Sequence, residues 1–144
     1  MLKKLAVLLG AFAMVFATFF GPAAHAKPSY WFTEDGKYDG RVKPTKSEPH
    51  VSVTIWEVYY VNHKTKKTTP TTNYSKLSVR LCNASTGKCT SFKKFKKLGD
   101  VGYVDFYSMK PGTYNVDIVD SSKDHYYHGQ IDIVTFSDGA LPRS

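Results

Sequence analysis

The chain has 144 residues, of which 42% are hydrophobic and 15% aromatic, and it carries 20 lysine and arginine residues against 12 aspartate and glutamate residues. A chain of this length suits one domain around a single hydrophobic core and is too short for several domains of ordinary size. The formal net charge of +8 favours anionic partners such as wall polymers, nucleic acid or acidic glycans, without choosing among them.

The N-terminal residues follow the pattern of a secretory signal peptide. Lys3 and Lys4 precede an unbroken apolar run over residues 5 to 20, and Ala24-His25-Ala26 has the small residues of a cleavage site. The run is shorter than the ~20 residues of a membrane-spanning helix, and Gly21-Pro22 prevents its continuation. We expect cleavage after Ala26. Because no cysteine stands at the cleavage site for a lipid anchor and residues 141 to 144 form no hydrophobic tail, a freely secreted protein is expected.

Residues 27 to 49 are rich in glycine, proline and charged side chains, with Tyr30-Trp31-Phe32 as their apolar cluster. We interpret this segment as an irregular lead-in that docks on the domain through these three aromatic rings. The domain itself is then expected to cover residues 50 to 144.

The rest of the chain has the signals of β-structure from end to end. Alternation and composition predict strands over residues 51 to 61, 77 to 81, 101 to 109, 113 to 119 and 129 to 136, with residues 90 to 97 as a hairpin partner. Residues 62 to 73 are polar and indicate a long exposed loop, whose lysines we expect to be solvated. No segment keeps a helical period, so six or seven strands predict an all-β sandwich or a small barrel.

Two cysteines follow the signal peptide, Cys82 and Cys89. An even pair in an exported protein is typical of a disulfide, which would close a short loop here. A redox pair normally has two residues between its cysteines rather than six, and a metal site would need further ligands. We therefore predict a structural disulfide, with no metal and no cofactor.

Residues 110 to 118, KPGTYNVDI, predict a sharp turn followed by a core strand. Pro111 sets φ at the first corner of a type II turn, and Gly112 can adopt the positive φ that the second corner requires. On the strand that follows, Tyr114, Val116 and Ile118 share one face. Every residue here is explained by a structural role.

The order of a TGK hairpin at residues 86 to 88, GYVDF at 102 to 106 and KPGTYNVDI at 110 to 118 resembles the prealbumin-like and Ig-like β-sandwich modules of secreted bacterial proteins. These include the B-type repeats of collagen adhesins. The resemblance covers residues 77 to 119 and implies a single β-sandwich. The Lys to Asn isopeptide bond of many such repeats is not implied, because residues 51 to 61 contain no lysine and the last strand has no suitably placed asparagine. A fold of this kind does not by itself give a function.

The most basic segment is FKKFKK, residues 92 to 97. Its spacing does not suit a half-buried strand and indicates a bulge or an exposed edge. Lysines on an edge protect a sheet from aggregation, but they can also bind a polyanion through salt-dependent ion pairing. The candidate binding residues are Lys93, Lys94, Lys96 and Lys97.

A second candidate surface is aromatic. If Val51, Val53 and Ile55 point inward, then alternation turns Trp56, Val58 and Tyr60 outward, where aromatic faces can stack on sugar rings or bases. We expect a loop or the Tyr30-Trp31-Phe32 segment to cover this face, since uncovered aromatic patches are uncommon. Trp56 and Tyr60 are nevertheless kept as possible stacking groups.

Residues 120 to 129 are expected to form a loop that contains His125 and His128. Two histidines and two aspartates could hold a metal or, with Glu57, offer an acid and a base for ribonuclease-like chemistry. The composition is also that of an ordinary turn.

No motif of a serine hydrolase, a zinc peptidase or a phosphate loop occurs in the chain, and oxidation of the cysteine pair would remove thiol catalysis. The sequence therefore favours a secreted, non-catalytic module that binds an anionic cell-wall or extracellular matrix polymer. Two alternatives stay open: a small secreted hydrolase or nuclease that uses His125 and His128, and a toxin or inhibitor that binds a protein partner.

Overall fold

A computed structural model describes residues 29 to 140, and this part of the chain is a β-sandwich of two antiparallel sheets. Its ten strands are β1 (Ser29–Phe32), β2 (Gly40–Val42), β3 (His50–Asn62), β4 (Thr68–Pro70), β5 (Leu77–Asn83), β6 (Lys93–Lys94), β7 (Lys96–Leu98), β8 (Val101–Phe106), β9 (Tyr114–Asp120) and β10 (His125–Phe136). The predicted all-β sandwich is confirmed, with ten strands instead of six or seven. The predicted signal peptide lies outside the described residues.

The first sheet has the strand order β1-β10-β3-β8-β7, with β4 paired to the far end of β3, and the second has the order β2-β9-β5-β6. The chain crosses from one sheet to the other several times, for example from β8 to β9 and from β9 to β10. Residues 29 to 140 contain no helix long and apolar enough to cross a membrane.

The core lies between the two sheets and is formed by alternate residues of the central strands. Its fully buried members include Val51, Val53 and Ile55 of β3, Leu77, Val79 and Leu81 of β5, and Val116 and Ile118 of β9. Burial of one such side chain stabilises the fold by about 1.5–3 kcal/mol relative to exposure. The inward orientation predicted for the first half of β3 is therefore confirmed.

The segment expected as an irregular lead-in contributes two strands, and the expectation was wrong in this respect. β1 pairs with β10, and Trp31 is 1% exposed with its indole Nε1 donating to the carbonyl of Gln130 at 3.1 Å. β2 pairs with β9 in the other sheet. These strands have four and three residues, too few for alternation to be recognised among the surrounding glycines, prolines and charges.

Asp39 connects the two sheets beside the edge strands β1 and β2. Its carboxylate accepts hydrogen bonds from the backbone N–H of Phe32 at 3.2 Å and of Ile118 at 2.7 Å, so it joins β1 of one sheet to β9 of the other. The residue is 9% exposed. Burial raises the pKa of Asp39 to about 7, an effect that the two hydrogen bonds oppose and the carboxylates of Asp35 and Asp117 reinforce.

The Pro-Gly turn carries the chain from β8 in the first sheet to β9 in the second. Gly112 has the positive φ that was predicted, but its value of 154° differs from the roughly +80° of a type II turn. The segment is instead held by the N–H of Met109, which donates to the carbonyl of Pro49 at 2.8 Å. The predicted structural role of the turn is thus retained with a different backbone geometry.

The predicted disulfide joins Cys82 at the end of β5 to Cys89, which face each other as an antiparallel bridge. Closing a loop of this size restricts the unfolded chain, and the loop-entropy relation gives about 2.5 kcal/mol. We therefore expect replacement of both cysteines by alanine to lower the free energy of unfolding by about this amount, measured by urea titration. The free energy of unfolding of the alanine variant is also compared with that of the reduced wild-type protein. If the variant is less stable than the reduced wild type by the same amount, the assignment is contradicted.

Candidate functional site

The four lysines of the FKKFKK segment lie where the chain passes from the edge of one sheet to the edge of the other. Lys93 and Lys94 form β6, the edge of the second sheet, and Lys96 and Lys97 belong to β7, the edge of the first. Phe95 lies between the two strands and is buried in the core. This inward phenylalanine explains the irregular spacing, and it leaves all four lysines exposed on adjoining sheet edges.

Three of the ammonium groups have defined contacts with uncharged oxygen atoms. Lys93 Nζ donates to the carbonyl of Asp105 at 2.9 Å and lies 4.9 Å from the ring centroid of Phe106. Lys94 Nζ donates to the carbonyl of Ser75 at 3.2 Å, and Lys97 Nζ to the hydroxyl of Thr72 at 2.9 Å. These hydrogen bonds orient the side chains without cancelling their positive charge.

Three of the four lysines border a cleft of about 340 Å³, here called the lysine cleft. It is lined by Lys93, Lys94, Lys96, Tyr103, Val104, Asp105 and Tyr107. Lys96 lies directly opposite Tyr103 in the β7–β8 pair, so both side chains are on the same face of the sheet. The cleft thus combines cationic groups with tyrosine rings, and Asp105 adds one carboxylate. Tyr103 and Tyr107 were missed in the sequence, although alternation in β8 could have shown that Tyr103 points away from the core.

The structure separates the two predicted stacking residues. Glu57 has φ of +47°, and the pairing of β3 with β10 shifts register at this point, so a β-bulge inserts one residue and reverses the alternation. Val58 is therefore buried and Tyr60 packs against the core, while Trp56 stays on the outer face. The outward orientation predicted for Val58 and Tyr60 was wrong for this reason.

Gly129 of β10 occupies the position opposite the bulge. A Cβ atom at this residue would lie only 3.0 Å from the carbonyl oxygen of Trp56 and 3.1 Å from that of Glu57.

The Tyr30-Trp31-Phe32 segment was expected to cover the outer face of β3. It belongs instead to β1, which extends the same sheet beyond β10. Neither Trp56 nor Tyr60 is among the residues that line the lysine cleft.

His125 and His128 belong to a strand and not to a loop, because β10 begins at His125. Residues three apart on a strand point to opposite faces, and the contacts of the two imidazoles agree with this. The imidazole of His125 lies edge-on to the ring of Tyr60, with 4.9 Å between the ring centroids. The imidazole of His128 is stacked between the rings of Phe32 and Tyr59, with 5.5 Å between its centroid and each of theirs. The two histidines therefore do not face a common substrate position.

The imidazole of His128 lies between two aromatic rings. Burial lowers the pKa of His128, which favours its neutral form. Glu57, the carboxylate that might have acted with it, is hydrogen-bonded to the side-chain amide of Gln130. Among residues 29 to 140, no group of three or more histidine, cysteine, aspartate or glutamate side chains is gathered to hold a metal ion.

Neither a model of a known protein family nor a curated protein matches this chain in sequence. The similarity to prealbumin-like and Ig-like modules therefore remains a resemblance of residues 77 to 119.

Proposed function

We propose that this protein is a secreted, non-catalytic binding module for an anionic cell-wall or matrix polymer, and that the lysine cleft is its binding site. The observation that carries the proposal is the concentration of four exposed lysines on two adjoining sheet edges beside two tyrosines. Phosphate, sulfate or carboxylate groups would pair with the lysines, and the tyrosine rings would contact sugar or polyol units of the same polymer.

The composition of the cleft favours a polymer over a single small anion. Lys93, Lys94 and Lys96 all line the cleft, so one ligand has several cationic groups within reach. Lys97 does not line this cleft but lies with Thr72 in a separate cavity of the surface. A ligand with repeated charges can contact several of these lysines together and release their counterions, so its affinity should fall steeply as salt increases.

The proposal predicts that Lys93→Gln/Lys94→Gln/Lys96→Gln weakens binding about tenfold or more at low salt and makes the remaining binding less sensitive to salt. The measurement is retention of the purified protein by isolated bacterial cell walls, with and without their anionic polymers, across a sodium chloride titration. Wild-type retention should require the anionic polymers.

The matched control is Lys64→Gln/Lys66→Gln/Lys67→Gln, which removes the same charge from the exposed hairpin between β3 and β4. It should retain most of the wild-type affinity. Equal losses in the two triple variants would mean that net charge alone drives retention, and the lysine cleft would then not be a specific site.

A further inference from the structure

A second cavity lies at the opposite edge of the first sheet from the lysine cleft. It has a volume of about 300 Å³ and is lined by Phe32, Glu34, Asp35, His63 and Tyr126. Phe32 ends the edge strand β1, Tyr126 lies on the adjacent strand β10, and Glu34 and Asp35 follow β1 directly. The cavity combines aromatic walls with two carboxylates, in a chain of net positive charge.

The aromatic walls are held in place by a stack of rings across three strands. Phe32, His128 and Tyr59 are directly opposite one another on β1, β10 and β3, with interplanar angles of 27° and 16°. Among residues 29 to 140, β1 is the edge strand and no further strand covers the other face of Phe32, which is 41% exposed. The ring of Tyr126 forms the second wall, and its centroid lies 5.7 Å from that of the His63 ring.

The two carboxylates are positioned by separate contacts. Glu34 Oε2 lies 3.1 Å from Nε2 of His63, and Asp35 Oδ1 accepts the backbone N–H of Lys37 at 3.0 Å. Both acidic residues are exposed, so they are available to a ligand in the cavity.

We propose that this cavity binds an organic cation, namely the ammonium or guanidinium group of a lysine or arginine side chain of a partner protein. A cation over the face of Phe32 or Tyr126 is attracted by the ring quadrupole, and the carboxylates of Glu34 and Asp35 add a direct charge interaction. The aliphatic stem of such a side chain would pack against Phe32. The same carboxylates would repel the anionic polymer proposed for the lysine cleft, so the two sites are independent.

The test is a titration of the purified secreted protein with N-acetyl-lysine methylamide and N-acetyl-arginine methylamide, monitored by the NMR signals of the cavity residues. The uncharged norleucine analogue has the same stem without the charge. We expect saturable shifts with Kd of about 1–10 mM for the charged analogues and much weaker binding of norleucine.

Glu34→Gln/Asp35→Asn should weaken binding about tenfold, and Phe32→Leu about threefold. The controls make single changes of the same kind elsewhere: Asp132→Asn at an exposed position of β10 and Phe92→Leu at an exposed ring beside β6. Both controls should bind as the wild type does, and the amide spectra will show which variants keep the fold.

The absence of saturable shifts, or equal binding of norleucine and lysine analogues, would overturn the assignment. Equal losses in the cavity and control variants would also overturn it. Choline serves as a further probe: if it binds much more tightly than either amino-acid analogue, the cavity is a cation site for a free quaternary amine, and the partner-protein source is rejected.

Discussion

Replacement of Trp31 by alanine is expected to lower the free energy of unfolding by about 3–5 kcal/mol. The indole is 1% exposed in the core between the two sheets, and its N–H donates to the carbonyl of Gln130. The truncation would leave a large cavity and remove the main apolar contact by which β1 is held. Urea titration followed by circular dichroism measures the loss.

The neighbouring Tyr30 provides a matched control, because it is an aromatic residue of the same strand that is 67% exposed. Tyr30→Ala should change the stability by less than about 0.5 kcal/mol. If the two substitutions had the same small effect, β1 would contribute little to the fold, and residues 29 to 32 would behave as the irregular lead-in that was first expected.

The second large effect is a dependence of stability on pH that comes from Asp39. Because burial raises the pKa of Asp39 to about 7 in the folded protein, against 3.8 for an ordinary aspartate, the folded state binds a proton that the unfolded state has released. This residue should therefore make the protein less stable as pH rises from about 4 to 7, by up to about 4 kcal/mol, with no further change above that range.

Asp39→Asn tests this effect, because the amide cannot ionise. At pH 4 to 5 the variant should be less stable than the wild type by about 1–3 kcal/mol, since its amide oxygen cannot serve both the Phe32 and Ile118 N–H groups as well as a carboxyl group does. The difference should vanish as pH approaches 7 and then reverse, because only the wild type loses stability over this range. It is measured by urea titrations at a series of pH values, following tryptophan fluorescence.

Comparison of the wild type with Asp39→Asn removes the pH dependence of stability that comes from all other titratable groups. His128 is one such group, and its contribution has the opposite sign to that of Asp39. Because burial lowers the pKa of His128 in the folded protein, its contribution to stability becomes more favourable as pH rises toward about 6.5, the ordinary pKa of histidine. Asp132→Asn, an exposed substitution on β10, should keep the wild-type pH profile. Identical profiles for wild type and Asp39→Asn would show that Asp39 is ionised in both states.

Part of the candidate site was predictable from residue order alone. The irregular spacing of the FKKFKK segment indicated an exposed edge, and Lys93, Lys94, Lys96 and Lys97 do lie on edge strands. The association of the first three lysines with Tyr103 and Tyr107 was not predictable, because that proximity depends on the pairing of β7 with β8 and on the crossing between sheets at Phe95.

The sequence by itself determined the class of fold, the disulfide and the central strands, because these depend on local alternation, turn residues and cysteine spacing. The tertiary structure alone decided which face each side chain of β3 occupies beyond residue 56, since the bulge at Glu57 forms only against Gly129 of β10. It likewise decided the role of Asp39, whose two hydrogen-bond donors lie far apart in the chain. Short strands and buried polar contacts obtain their partners from distant segments, and for that physical reason local sequence patterns do not reveal them.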